Sequence, residues 1–197
     1  MLEFVIENEE REKGNTVICG VDEAGRGCLC GSVYAAAVIL PPDYFHPLLN
    51  DSKKLSEKKR EELYEHITEN ATAWSVAFAT VEEIEDINIL NAAMLAMRRA
   101  VAGLGKKVDI ALIDGNIARG FECNTRTVVK GDSISPSIAA ASILAKVSRD
   151  RYITELSEKY PEYSFEKHKG YATKAHMEAI RAHGPCEIHR PSFLKKI

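Results

Sequence analysis

The stretch Val17-Ile18-Cys19-Gly20-Val21-Asp22-Glu23-Ala24-Gly25-Arg26-Gly27 carries an apolar run directly into two carboxylates and then into a glycine-flanked arginine. An apolar run of strand length stopped by glycines reads as a core β-strand. Ionised carboxylates at the end of such a strand are costly unless they are paired or hold a cation. Divalent-metal chemistry is therefore the first expectation. Adjacent strand residues point to opposite faces, so Asp22 and Glu23 can serve one site only if the strand ends there. Gly25 and Gly27 make that break feasible, because glycine tolerates backbone angles that other residues avoid.

Working outward, this strand is placed near 16–22 and a second near 33–40, where the run from Val33 to Leu40 is nearly all apolar and Pro41-Pro42 ends it. Ser56 reads as the N-cap of a helix reaching about Asn70, with Leu63 and Ile67 inward. Residues 72–80 alternate, with Trp74, Val76 and Phe78 on one face, which predicts a third strand more covered on one side than the other. A helix over Ile89–Val101 ends near Gly103 and Gly105. Val108–Ile113 reads as a buried strand running into Asp114-Gly115-Asn116, and Thr125–Val129 as a shorter one. A long helix starts near Ser135-Pro136 and reaches roughly Tyr160, with Ile138, Ala141, Ile143, Leu144 and Val147 as its inward stripe. A final helix runs from Thr173 to about Ala182 and closes at Gly184-Pro185. Antiparallel-looking strands followed by strand–helix alternation imply an α/β layered domain with a mixed sheet.

The chain of 197 residues is expected to form one domain over 1–197, with 1–15 as a lead-in, large enough to bury a core without disulfides or structural zinc. Its 45% hydrophobic and 28% charged residues are typical of a soluble globular protein. No stretch approaches the roughly 18 apolar residues of a membrane span. The N-terminus lacks a secretory pattern, so a cytoplasmic protein is expected, and a monomer, since no assembly signal is present. Five cysteines include a Cys28-x-Cys30 pair that matches neither a redox motif nor a zinc knuckle, and read as reduced, mostly buried thiols. The net charge of −3 gives no sign of nucleic-acid binding. Its distribution does: residues 1–123 carry 13 Lys/Arg against 21 Asp/Glu, whereas 124–197 carry 13 against 8. A basic C-terminal part is either a phosphate footprint or a set of solvated helix charges.

Four acids fall at strand ends or strand–helix junctions. Asp114 closes the run Ile110, Leu112, Asp114 on one strand face, and Asp132 lies just before a helix N-terminus, where the helix dipole favours an anion. With no histidine at ligand spacing, Asp22, Glu23, Asp114 and Asp132 suit a hard, oxygen-loving ion such as Mg²⁺ or Mn²⁺ over Zn²⁺. Each acid taken alone also fits a loop cap or a salt-bridged carboxylate. Together they sit where α/β proteins build sites.

The motifs Gly20-Val21-Asp22-Glu23-Ala24-Gly25-Arg26-Gly27, Asp51-Ser52-Lys53-Lys54-Leu55, Leu112-Ile113-Asp114-Gly115-Asn116, Lys130-Gly131-Asp132-Ser133 and His168-Lys169-Gly170-Tyr171 resemble, in order and from about residue 16 to Phe193, those of ribonuclease HII. The resemblance implies a ribonuclease H-like fold with a mixed central β-sheet flanked by helices, and a helical, substrate-binding extension over about 161–197. It implies an endonuclease that uses two Mg²⁺ or Mn²⁺ ions, cuts the RNA strand of RNA–DNA hybrids and cleaves at single ribonucleotides embedded in DNA. Asp22, Glu23, Asp114 and Asp132 match the family's metal-binding acids. Gly25, Arg26 and Gly27 match its ribonucleotide-sensing turn, and Tyr171 the tyrosine that works with that turn. In-line phosphodiester hydrolysis by metal ions needs no nucleophilic side chain, and no marked nucleophile is present.

Distinguishing RNA from DNA means contacting the 2′-hydroxyl. Arg26 can engage phosphate through its planar fork, or simply pair with a neighbouring carboxylate; Tyr171 can offer ring and hydroxyl to a sugar, or belong to the core. Lys53, Lys54, Lys130, Lys146, Lys167, Lys169 and Lys174, with Ser133, are candidates to hold the nucleic-acid backbone, although several of these lysines fit an ordinary solvated surface. His168 and His176 fit proton shuttles or structural residues. The chain departs from the family pattern at Cys28, Cys30, Ser32 and Ala172, which puts two thiols at risk of oxidation beside the site. Two other readings remain: a non-catalytic hybrid-binding protein, and a nucleotide-binding module using Gly25, Gly27 and Gly31, one residue too long for the dinucleotide fingerprint.

Overall fold

The computed structural model describes residues 2–49 and 55–195. Its helices are α1 (Val5–Glu12), α2 (Glu57–Asn70), α3 (Val81–Gly103), α4 (Pro136–Lys159), α5 (Phe165–His168) and α6 (Lys174–His183), and its strands β1 (Ile18–Ala24), β2 (Val33–Ile39), β3 (Ala73–Ala79), β4 (Ile110–Asp114) and β5 (Asn124–Val128). The sheet order is β3-β2-β1-β4-β5. β1 and β3 run antiparallel to β2, whereas β4 runs parallel to both β1 and β5. This is the expected mixed α/β sheet. Among the described residues no helix is long and apolar enough to cross a membrane.

Side-chain alternation splits the core in two. Val33, Ala35, Ala37 and Ile39 of β2 face α3 together with Cys19, Val21, Ala111 and Ile113. The alternate residues Ala36 and Val38 face α4 and α2 with Leu63, Ile67 and the alanines of α4. A strand buried on both faces reads as a continuous apolar run, as the β2 sequence does. Small residues let α4 cross β1 closely: a Cβ on Gly20 would lie 2.1 Å from the Ser137 carbonyl carbon. That close crossing brings the first turns of α4 against the end of β1.

Several expectations need correcting. β1 does not end at Asp22 but continues through Glu23 to Ala24, so a strand break is not what lets the two acids act together; Glu23 lies near enough to the strand end for its charge still to reach Asp22 and Asp114. α3 begins at Val81, well before Ile89: Thr80 and Glu83 form a capping box, and Asn88, at φ +66°, kinks the helix while its Oδ1 accepts from the Leu90 and Asn91 amides. Residues 1–15 are more than a lead-in, since they hold α1, whose buried Glu7 accepts from the Ser135 hydroxyl at 2.6 Å and the Ser137 amide at 3.1 Å. A carboxylate at these amides suits the N-terminus of α4. On β3 one side is more covered than the other, as expected, and it is the alanine side: Ala73, Ala77 and Ala79 pack in the α3 cluster, whereas Trp74 and Phe78 on the other side are exposed.

A third cluster joins the chain's end to the body: Tyr163, Phe165, Ile180 and Ile188 pack with Ile153 of α4 and with Leu29 and Cys30 of the β1–β2 loop. Two isolated bridges, Cys28 with Tyr171 and Cys30 with His189, stitch the same contact. The β1–β2 loop leads into a strand and not a helix, so Gly25, Gly27 and Gly31 lack the strand–turn–helix setting of a dinucleotide site.

Candidate active site

The last registered pair between β1 and β4 is Val21 with Ile113, so the next step along these parallel strands sets Asp22 beside Asp114. Both lie on the α4 face, since Leu112, two residues before Asp114, packs with Ile138 of α4. Asp22 is buried, accepts from the Glu23 amide at 2.7 Å and is hydrogen-bonded to Ser142 of α4. Burial first, then the charges of Glu23 and Asp114, hold its carboxyl well above the usual carboxylate range. Glu23 is also raised, chiefly by burial, with Arg26 opposing the shift and Asp114 adding to it. Three acids from two strands therefore converge closely enough to repel one another.

Asp114 accepts the Gly131 amide at 2.7 Å. The next residue is Asp132, buried in the short 3₁₀ turn Gly131–Ser133 that leads into α4. Lys130, at φ +56°, and Ser133 are exposed on either side of that turn. The Gly131–Asp114 hydrogen bond thus sets the residue before Asp132 against the Asp22–Asp114 pair.

The second half of the site surrounds Tyr171. Gly25, at φ +95°, opens the turn, and Arg26 pairs with Glu23 at 3.0 Å, the neighbouring-carboxylate alternative foreseen for it. Tyr171 is partly exposed and is not a core residue; Lys146 of α4 sits 5.4 Å from its ring centre and is held by Asp150 at 2.7 Å. Lys169 bonds Thr154 at 2.9 Å. Lys167 and Lys174 are exposed, and Lys53 and Lys54 lie outside the described residues.

His176 is structural. Its Nδ1 lies 2.9 Å from the Tyr171 carbonyl and its Nε2 3.1 Å from Nε2 of His189. A carbonyl only accepts, so Nδ1 of His176 carries the proton, and His189 donates across the Nε2 contact. Burial, above all, pulls His176 down to about 4, which keeps this relay neutral. The oxidation risk expected at Cys28 and Cys30 is also corrected: both are fully buried, and burial raises both thiols, Cys30 to about 12. Under iodoacetamide, Cys123 and Cys186, which are only half-buried, are expected to label before Cys28 and Cys30 by peptide mass spectrometry; equal rates would contradict the burial.

Two functional candidates escaped the sequence reading: Arg149 on α4 and Arg190 near the C-terminus, both fully buried. All their hydrogen bonds go to backbone carbonyls, most of them in the loop that follows Gly25. Neither position shows a sequence pattern that would mark it as buried.

Among the described residues, no three His, Cys, Asp or Glu side chains form a ready-made metal cage. Mg²⁺ does not require such a cage, since it keeps several waters and binds through one or two carboxylates together with substrate phosphates. Mutually repelling oxygen donors, Asp22 buried and Glu23 and Asp114 partly so, fit such a hard cation.

The family model described as Ribonuclease HII matches residues 19–196. Ribonuclease HII of Caldicellulosiruptor bescii is 54% identical over 98% of this chain and 94% of that protein, and that of Marinomonas sp. is 56% identical over 92% of each. Among solved structures, the RNase HII in the PCNA complex from Archaeoglobus fulgidus superposes with a TM-score of 0.75 at 27% identity, covering 89% of this chain and 94% of that one. Ribonuclease H2 of Pyrococcus horikoshii gives 0.74 at 25% identity, with 90% and 93% covered. With the fold, the acids and the sequence in agreement, the chain is a nuclease and belongs to the ribonuclease HII family.

Proposed function

We propose that this protein is a metal-dependent endonuclease that hydrolyses the RNA strand of RNA–DNA hybrids and nicks duplex DNA 5′ of a single embedded ribonucleotide, leaving 3′-hydroxyl and 5′-phosphate ends. Such an activity serves RNA primer removal and ribonucleotide excision. The observation that carries the reading is the convergence of Asp22, Glu23 and Asp114 at the ends of two parallel strands. When bound, two Mg²⁺ or Mn²⁺ ions supply an activated water, charge neutralisation and leaving-oxygen stabilisation. Asp22, Glu23 and Asp114 would hold them, with Asp132 completing the set from the Gly131–Ser133 turn.

The remaining residues bind and orient. Lys146 beside the Tyr171 ring, Lys169 two residues before it, and Lys130 and Ser133 around Asp132 would offer charge and hydrogen bonds to phosphates. The Arg26 and Gly27 amides have no acceptor among the described residues, which leaves two donors for a ribose hydroxyl or phosphate beside Tyr171. Incubation with Mg²⁺ or Mn²⁺ and a DNA duplex carrying one ribonucleotide tests the reading. A nick on its 5′ side, absent in EDTA and absent from an all-DNA duplex, is expected; an uncut duplex in both metals would reject it.

A further inference from the structure

Every carbonyl from Arg26 to Ser32, except those of Gly27 and Leu29, accepts from a buried guanidinium. Arg149 donates through Nε to Ser32 at 3.3 Å, through one terminal nitrogen to Cys30 at 3.1 Å and through the other to Lys169 at 2.9 Å. Arg190 donates to Gly31 at 2.6 and 2.9 Å, to Cys28 at 2.8 Å and to Arg26 at 3.2 Å. The Leu29 carbonyl is taken by the Arg190 amide at 2.8 Å, while the Leu29 amide donates to Gly170 at 2.9 Å. Neither arginine has a carboxylate within ion-pair distance among the described residues.

Burying a guanidinium without a counter-ion is costly unless its donors are satisfied. Here two guanidiniums sit close enough that Arg149 and burial together lower Arg190, to about 10, with burial the larger cause. Their hydrogen bonds are concentrated on one loop and on Lys169, two residues before Tyr171. Arg149 also fills the space beneath Gly25: a Cβ there would lie 2.0 Å from its Nε. Its terminal nitrogen lies 3.5 Å from where a Gly170 Cβ would stand. The two side chains therefore fix the backbone of the turn and the backbone before Tyr171 as one unit.

We propose that Arg149 and Arg190 are positioning residues for ribonucleotide selectivity: from beneath, they fix the spacing between the Gly25–Gly27 turn and Tyr171, touching no substrate themselves. The inference rests on the reading of that turn and Tyr171 as the sugar-sensing pair. It also accounts for the acceptor-free Arg26 and Gly27 amides. The arginines draw the loop's carbonyls into the protein and leave those amides available to a ligand.

The test compares kcat/KM for a duplex with one embedded ribonucleotide against that for a continuous RNA–DNA hybrid, in wild type, Arg149→Lys, Arg190→Lys and Tyr171→Ala. Lysine keeps the charge but cannot bridge several carbonyls in a planar fork. A misplacement of about 1 Å costs on the order of 10²-fold, so both lysine variants are expected to lose about tenfold or more in the ratio, in the direction of Tyr171→Ala. If Tyr171→Ala lowers the ratio and the lysine variants reduce both substrates equally, the arginines are merely structural and the inference fails. If Tyr171→Ala leaves the ratio unchanged, the sugar-sensing reading itself fails. Should a lysine variant not fold, the wild type decides: in EDTA, the Arg149 and Arg190 Nε–H NMR signals are expected to shift with the ribonucleotide duplex and not with all-DNA duplex. Unshifted signals would overturn the proposal.

Discussion

Asp22→Asn is expected to eliminate turnover and, at the same time, to raise the unfolding temperature of the metal-free protein. The two effects share one cause. Asp22 is buried beside Glu23 and Asp114, and its carboxyl is held well above its ordinary range, chiefly by burial. A raised carboxylate binds its proton more tightly folded than unfolded. Its contribution to stability is complete below the unfolded value of about 3.9 and is lost as pH rises through the folded value. At neutral pH the ionised group weakens the fold unless a cation lies against it. Asparagine removes the charge and keeps an oxygen to accept from the Glu23 amide. Calorimetry in EDTA across pH 5–8 is expected to show Asp22→Asn gaining on wild type as pH rises, each kcal/mol of relief appearing as about 2–4 °C. Added Mg²⁺ is expected to stabilise wild type more than the variant. Activity is expected to fall by more than the roughly 10- to 100-fold that losing an outer partner of a metal ligand costs. A variant less stable than wild type in EDTA, or one of near-normal rate, would remove Asp22 from the proposed metal site.

This trade between stability and function explains why the acids were legible in the sequence. A carboxylate closing an apolar strand breaks the local pattern, and such breaks concentrate at functional positions. The period-2 alternation of Ile110, Leu112 and Asp114 put Asp114 on one face with Leu112, which the structure turns toward α4, and the nearly all-apolar run of β2 marked a strand that the structure shows covered on both sides. Glu23 was harder. Alternation assigns it to the opposite face, and only the tertiary structure shows its charge reaching Asp114.

Arg149 and Arg190 were invisible for the opposite reason. An arginine on a helix or near a C-terminus reads as surface, and the carbonyls that hold these two lie, Lys169 apart, 117 to 164 residues away in sequence. Nothing local announces such a partner. The acids of α1 were passed over likewise: Glu7 becomes a cap only when α4 arrives above it. The start of α3 was legible, since Thr80 and Glu83 carry the spacing of a capping box, but the preceding strand obscured it.

Gly25→Ala is expected to be the most damaging single-methyl change in the chain's proposed sugar-sensing turn, and Gly27→Ala to be mild. The sequence treats these glycines as equivalent flanks of Arg26. Gly25 has φ +95°, a conformation that costs a side-chain-bearing residue about 1–3 kcal/mol. Its added Cβ would also stand 2.0 Å from Arg149 Nε and 2.5 Å from its Cδ. That neighbour cannot step aside cheaply, because its guanidinium is fully buried and bonded to the Ser32, Cys30 and Lys169 carbonyls. A Cβ on Gly27 meets nothing within 4 Å. Denaturant unfolding is expected to show Gly25→Ala losing several kcal/mol, backbone strain and displacement of Arg149 adding together, with Gly27→Ala staying within about 1 kcal/mol of wild type. Because Arg149 also bonds the backbone two residues before Tyr171, the Gly25 variant is expected to cleave single-ribonucleotide duplexes poorly even at temperatures where it is fully folded. Equal stability of the two variants would mean that the Gly25 turn is not held against Arg149 in solution.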